Sequence, residues 1–178
     1  VVQALVHKSL LRVGRAASDG SGMLETRIGM YTSLQEYARA KLDRDPVAVA
    51  AAEARHAAWF ARYGEEEAML ALVRHGGVTR QRRLVAEIEN LAAACRRSVR
   101  HGNGGTAAAC LRAARLVYRV TGPGRLGVAL ANDVLAMDLA PDDRLSALPS
   151  LSKAEHETGA NESARRAAEM ALELSREI

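Results

Sequence analysis

RIGMYTSLQEYA, residues 27–38, joins two kinds of pattern: a short apolar alternation ends, and a helical stripe begins. RHAAWF, residues 55–60, follows on the next helical stretch and gathers the bulkiest aromatic pair of the chain. Thr32 or Ser33 can cap the helix that starts inside the first segment, with Glu36 three residues after Ser33 in a capping-box spacing. Leu34, Tyr37, Ala38 and Leu42 then predict its buried stripe. DRDP at 43–46 ends it, and Pro46 suits the first turn of a following helix. That helix carries Val49, Ala52, His56, Trp59, Phe60 and Tyr63, so Trp59 and Phe60 are expected to be packing anchors. A buried indole predicts a loss of about 3–5 kcal/mol for Trp59→Ala.

Before the junction, Val2, Leu5, Val6 and Leu10 recur at helical spacing over residues 1–13. A strand is expected over 11–17 and a second over 23–31. SDGSG at 18–22 supplies turn chemistry between them, because Asp-Gly tolerates positive φ. Helix, strand, tip, strand and helix is the order of the second half of a winged helix, with residues 14–25 as the wing.

After the junction the chain reads as helix throughout. Residues 65–75 make a short helix. A longer one over 80–101 has its stripe at Leu84, Ile88, Leu91, Cys95 and Val99. HGNGG at 101–105 stops it. A helix over 106–121 is apolar on most sides and is expected to be central, and another spans about 125–139. The clearest pattern lies in 145–178. Leu148 and Leu151 fall on one helix, Gly159 in a turn, and Ala164, Ala168, Ala171 and Leu172 on a second helix, the arrangement of a tetratricopeptide (TPR)-like repeat. Pro149 is expected in the first turn of its helix, where a missing N–H costs little. One such unit cannot bury its own face, so the preceding helices are read as degenerate neighbours.

Composition agrees with a helical fold. The 178 residues are 48% hydrophobic but only 3% aromatic, and Ala, Leu, Arg and Glu dominate. Such a chain buries roughly 70% of its extended surface on folding. The net charge of +4 and pI near 9.4 invite a nucleic-acid reading. The simpler account is arginine-rich codon usage, since Lys8, Lys41 and Lys153 are the only lysines and the arginines alternate with acids. Cys95 and Cys110 lack CxxC spacing and are expected to be buried free thiols in a reducing cytoplasm. No apolar run of about 18 residues predicts a membrane span, and the opening Val1-Val2 reads as a cut from a longer polypeptide. The five histidines are scattered, and no HExxH, phosphate loop or nucleophile–base motif is present, so no catalytic or metal-ligating residue is assigned.

Together, LVHKSLLRV (5–13), RIGMYTSLQEYARAKL (27–42), RHAAWF (55–60) and AEIENLAAA (86–94) make the chain similar to a segment of STAND-type signal-transduction ATPases. In the bacterial regulators of this class an NB-ARC-like ATPase leads into a winged helix and then TPR-like repeats. The resemblance implies a mostly α fold, with the end of a winged helix and its β-hairpin at 1–45 and an α-α repeat array at 46–178. It implies ATP or ADP in the parent protein and no cofactor in this segment. It also implies that Met30, Tyr31 and Thr32 match a step that faces the nucleotide, although Thr32 replaces the usual carboxylate. The expected function is a non-catalytic sensor that binds a protein partner or its own upstream ATPase module. Arg82, Arg83, Arg97, Arg100 and Arg112 are candidate groove residues for an acidic partner. The alternative is DNA binding through Lys8, Arg12, Arg15 and the wing tip.

Overall fold

The computed structural model describes residues 1–15 and 26–178. Ten α-helices, one 3-10 turn and a two-stranded antiparallel sheet lie among them. The chain forms two compact units, Val1–Ala52 and Glu53–Ile178. The division falls within a helix rather than at the start of that helix, Pro46.

The first unit holds α1 (Val2–His7), β1 (Arg12–Arg15), β2 (Thr26–Gly29) and α2 (Thr32–Leu42). The strands pair with Arg12 opposite Gly29 and Val13 opposite Ile28. The hairpin is therefore present, but the expected turn lies outside the described residues. The first helix is shorter than expected. It stops at His7, Ser9 takes φ 57°, and the Leu10 and Leu11 amides both return to the Leu5 carbonyl.

Two expectations for α2 fail. Tyr31, in extended conformation, occupies the N-cap without a side-chain hydrogen bond, so Ser33 and Glu36 sit too far along to form a capping box. No residue of α2 is buried either: Leu34 is half-buried, while Tyr37, Ala38 and Leu42 are exposed. The reason is size. A unit of this length has little apolar surface to cover its helices.

α3 (Pro46–Ala61) begins at Pro46 as its sequence predicts, and the Asp45 carboxylate accepts the Ala48 amide at 3.0 Å. After the 3-10 turn Arg62–Gly64 come α4 (Glu66–Ala71), α5 (Gly77–Ala86), α6 (Ile88–Arg100), α7 (Gly104–Thr121), α8 (Gly124–Leu135), α9 (Pro141–Glu157) and α10 (Asn161–Glu177). The single helix expected over 80–101 is two, broken at Glu87 (φ −103°), whose amide closes on the Leu84 carbonyl. Leu84, Leu91 and Cys95 are buried on both sides of the break, so the stripe carries no mark of it.

In the second unit α6 packs on α7, α7 on α8, α8 on α9 and α9 on α10, with α6 also touching α8 and α7 touching α9. α7 is the centre: from Ala107 to Tyr118 only Arg112 and Arg115 are not buried. Leu111, Val117, Leu91 and Val134 fill the interior around it. Many of the remaining core positions are alanine, so helices approach closely. The tightest approach is at Gly64, where a Cβ would overlap the Ala109 carbonyl of α7. Asn103 caps α7 by accepting the Thr106 amide at 3.1 Å.

α9 and α10 form the helix pair read from residues 145–178. Leu148 and Ala164 are buried, Leu151 and Ala171 half-buried, and Gly159 turns the chain at φ 88°. Two details differ. α9 starts at Pro141, which leaves Pro149 inside the helix rather than in its first turn. On α10 the buried partner of Ala164 is Ala167, while Ala168 and Leu172 are exposed. Three-residue spacing places Ala167, not Ala168, under the α9 contact.

Candidate functional site

The five arginines expected to form one acidic-partner face do not come together. Arg82 and Arg83 lie exposed on α5. Arg97 and Arg100 turn toward α3, where Glu53 gathers them: Arg97 Nε lies 3.3 Å and Arg100 Nη2 3.0 Å from its Oε1. His101 Nε2 lies 2.8 Å from the other carboxylate oxygen. Arg97 also donates from Nη1 to His56 Nδ1 at 3.0 Å, a bond that requires His56 to be neutral at that nitrogen. The cluster therefore ties α3 to α6 and is occupied with its own partners.

Its electrostatics follow from those contacts. The hydrogen bond from His101, helped by Arg100 and Arg97, holds the Glu53 carboxyl below its ordinary value against the opposing cost of burial. Burial, reinforced by Arg97, lowers His56 below its usual value of 6.5. Neither Glu53 nor His101 is legible as a site in the sequence, because they lie 48 positions apart.

Arg112 belongs elsewhere. With Arg115 it projects from α7 into a groove of about 390 Å³ between α4, α7 and α9. Sequence reasoning passed over Arg115, Ser146, Ser150 and Lys153, which share that groove. A signal existed: two arginines at i and i+3 on the most apolar helix must find an outlet to water or to an anion.

A second concavity, also about 390 Å³, is built around Trp59 with Arg62, Tyr63, Glu65, Glu67, Ala68 and Ala71. Trp59 is 58% exposed, which overturns its expected role as a buried anchor. The α3 face that packs inward carries Ala57 and Phe60 instead, and the Phe60 ring lies 4.7 Å from His56 and 6.0 Å from Tyr63. The Trp59 ring carries the Arg62 guanidinium 4.9 Å from its centroid. Tyr37, the other expected aromatic anchor, is 62% exposed and sits beneath Lys41 Nζ at 5.5 Å. Both aromatics fall on solvent-facing helix positions, Trp59 one residue before the inward-facing Phe60.

Met30 and Tyr31 link β2 to α2, and Thr32 opens α2. Met30 is half-buried, whereas Tyr31 and Thr32 are exposed. The Arg12 guanidinium lies 5.7 Å from the Tyr31 ring centroid, so this cation packs on the unit's own aromatic.

Among the described residues no cluster of His, Cys, Asp and Glu could hold a metal ion. No helix among them is long and apolar enough to cross a membrane. The chain matches no family model, no curated protein and no solved structure.

Proposed function

We propose that the chain is a regulatory interaction module that binds a protein partner through the Trp59 concavity on its helical unit. The exposed indole under the Arg62 guanidinium is the observation that carries this reading. Trp, Tyr and Arg are the residue types that dominate binding energy at protein interfaces, and here Trp59, Tyr63 and Arg62 line one cleft. Glu65 and Glu67 at its edge give it a mixed-charge rim.

Sequential packing from α6 to α10 supports reading the unit as layered, TPR-like helix pairs. On that reading the parent protein is a STAND-type ATPase regulator with an NB-ARC-like module and a winged helix, located in the cytoplasm. ATP or ADP acts in the parent, and the first partner to test is the parent's own ATPase module. Met30, Tyr31 and Thr32 are the positions that would face nucleotide in such an assembly. Binding at the module would shift the parent between closed and open forms, which requires different contacts in each.

Calorimetric titration of the chain with the ATPase module of its parent tests this. Saturable binding that Trp59→Ala or Arg62→Ala weakens by about tenfold or more is expected. Binding unaffected by both substitutions would place the partner elsewhere. Tight, steeply salt-dependent binding to duplex DNA would favour the basic hairpin face instead.

A further inference from the structure

The groove between α4, α7 and α9 holds buried hydrogen-bonding capacity that the fold itself leaves unused. Arg112 Nε and Ser146 Oγ are both shielded from solvent and have no hydrogen-bond partner. Both residues line the groove. A guanidinium N–H without an acceptor is a costly state, since a buried donor gives up water and gains nothing in return. Ser150, only 4% exposed, lines the same wall one helical turn beyond Ser146. Lys153 stands exposed at the next turn, so the two hydroxyls and the ammonium share one face of α9. Arg115 adds a further cation, paired with Glu157 at 3.5 Å. Among the described residues neither Arg112 nor Lys153 is in an ion pair, and Glu66 is the only acid on the groove's lining.

The opposite wall is apolar. Met69, Leu70 and Val73 line it, with Pro149 on the α9 side. Leu70 is 44% and Val73 82% exposed, so these two side chains lack cover from the described residues. A volume near 390 Å³ lies within the range of small-molecule sites. A donor-rich end beside a bare apolar wall requires a ligand with two matching parts.

We propose that this groove binds a small amphipathic oxyanion. Its carboxylate or phosphate head accepts from Arg112 and the α9 hydroxyls, and its short apolar body lies on Met69, Leu70 and Val73. The site is separate from the Trp59 concavity: Met69 and Leu70 line the groove, whereas Ala68 and Ala71 line the cleft on the other side of α4. Either assignment can fail without the other.

The test is calorimetric titration of the whole chain at fixed ionic strength with four probes: hexanoate, hexyl phosphate, inorganic phosphate and 1-hexanol. At least one of the two amphipathic anions should bind one-to-one, about tenfold or more tighter than both inorganic phosphate and hexanol. Which of the two binds identifies the head group. Arg112→Gln should weaken that binding about tenfold while the melting temperature holds or rises, because an unsatisfied donor has been removed. Lys153→Gln, at an exposed position, should weaken it by a smaller factor and serves if Arg112→Gln fails to fold. Hexanol binding as tightly as the anions, phosphate alone binding as tightly, or no saturable binding would overturn the proposal. So would full affinity in Arg112→Gln and Lys153→Gln.

Discussion

The Glu53 cluster and the two thiols make the sharpest single-residue statements. Folding lowers the proton affinity of both His56 and Glu53. The unfolded chain therefore takes up more protons as pH falls, and stability declines with it. The His56 contribution is complete above its ordinary value of 6.5 and fades below it. The Glu53 contribution is complete above 4.5 and is lost further down, as pH drops through its lowered folded value. Melting temperatures measured from about pH 7.5 down to about pH 3 should fall in that order, and His56→Gln should flatten the upper part. A flat profile would contradict the cluster. Burial pushes the Cys110 thiol up to about 12 and raises Cys95 further. Both should resist iodoacetamide in the native protein at pH 8 and react on unfolding; native-state labelling would place a thiol at the surface. Leu111→Ala, at a fully buried site, should cost about 2–5 kcal/mol in denaturant unfolding.

Among the elements, close approach and helix interruption decide the outcome. Gly64→Ala should destabilise by about 3 kcal/mol or more, because its added methyl meets the backbone of α7 rather than a movable side chain. A loss below about 1 kcal/mol would show that the 3-10 turn can move off α7. Pro149 lies inside α9 and denies the Leu145 carbonyl its helical donor. Pro149→Ala should raise stability by about 1 kcal/mol, read from the same unfolding curves. Periodicity located α7 as the central helix, the α9–α10 pair with its Gly159 turn and the Pro46 start, because each rests on local spacing or on a residue with one conformational use. It could not locate the break at Glu87, since Leu84, Leu91 and Cys95 stay in phase across it. It misplaced Trp59 because bulk was read as burial, although a large aromatic one step off the stripe faces water. The groove is half legible in the sequence: Arg112 stands out on an apolar helix, but Ser146, Ser150 and Lys153 join it only once α9 folds against α7.

In Glu53–Ile178 alanines and a few large aliphatic side chains, Leu91, Leu111, Val117 and Leu148 among them, form the core around α7, while Trp59, Leu70 and Val73 stay exposed. Alanine packing brings the helices close, and these three exposed apolar groups remain open to external contact. The proposed interaction role rests on the indole being presented to solvent. The chain contains a single tryptophan, so its fluorescence reports on Trp59 alone. Acrylamide quenching of the native protein tests the point directly. Quenching nearly as efficient as in the denatured chain is the predicted result. A native indole strongly shielded from acrylamide would contradict the account.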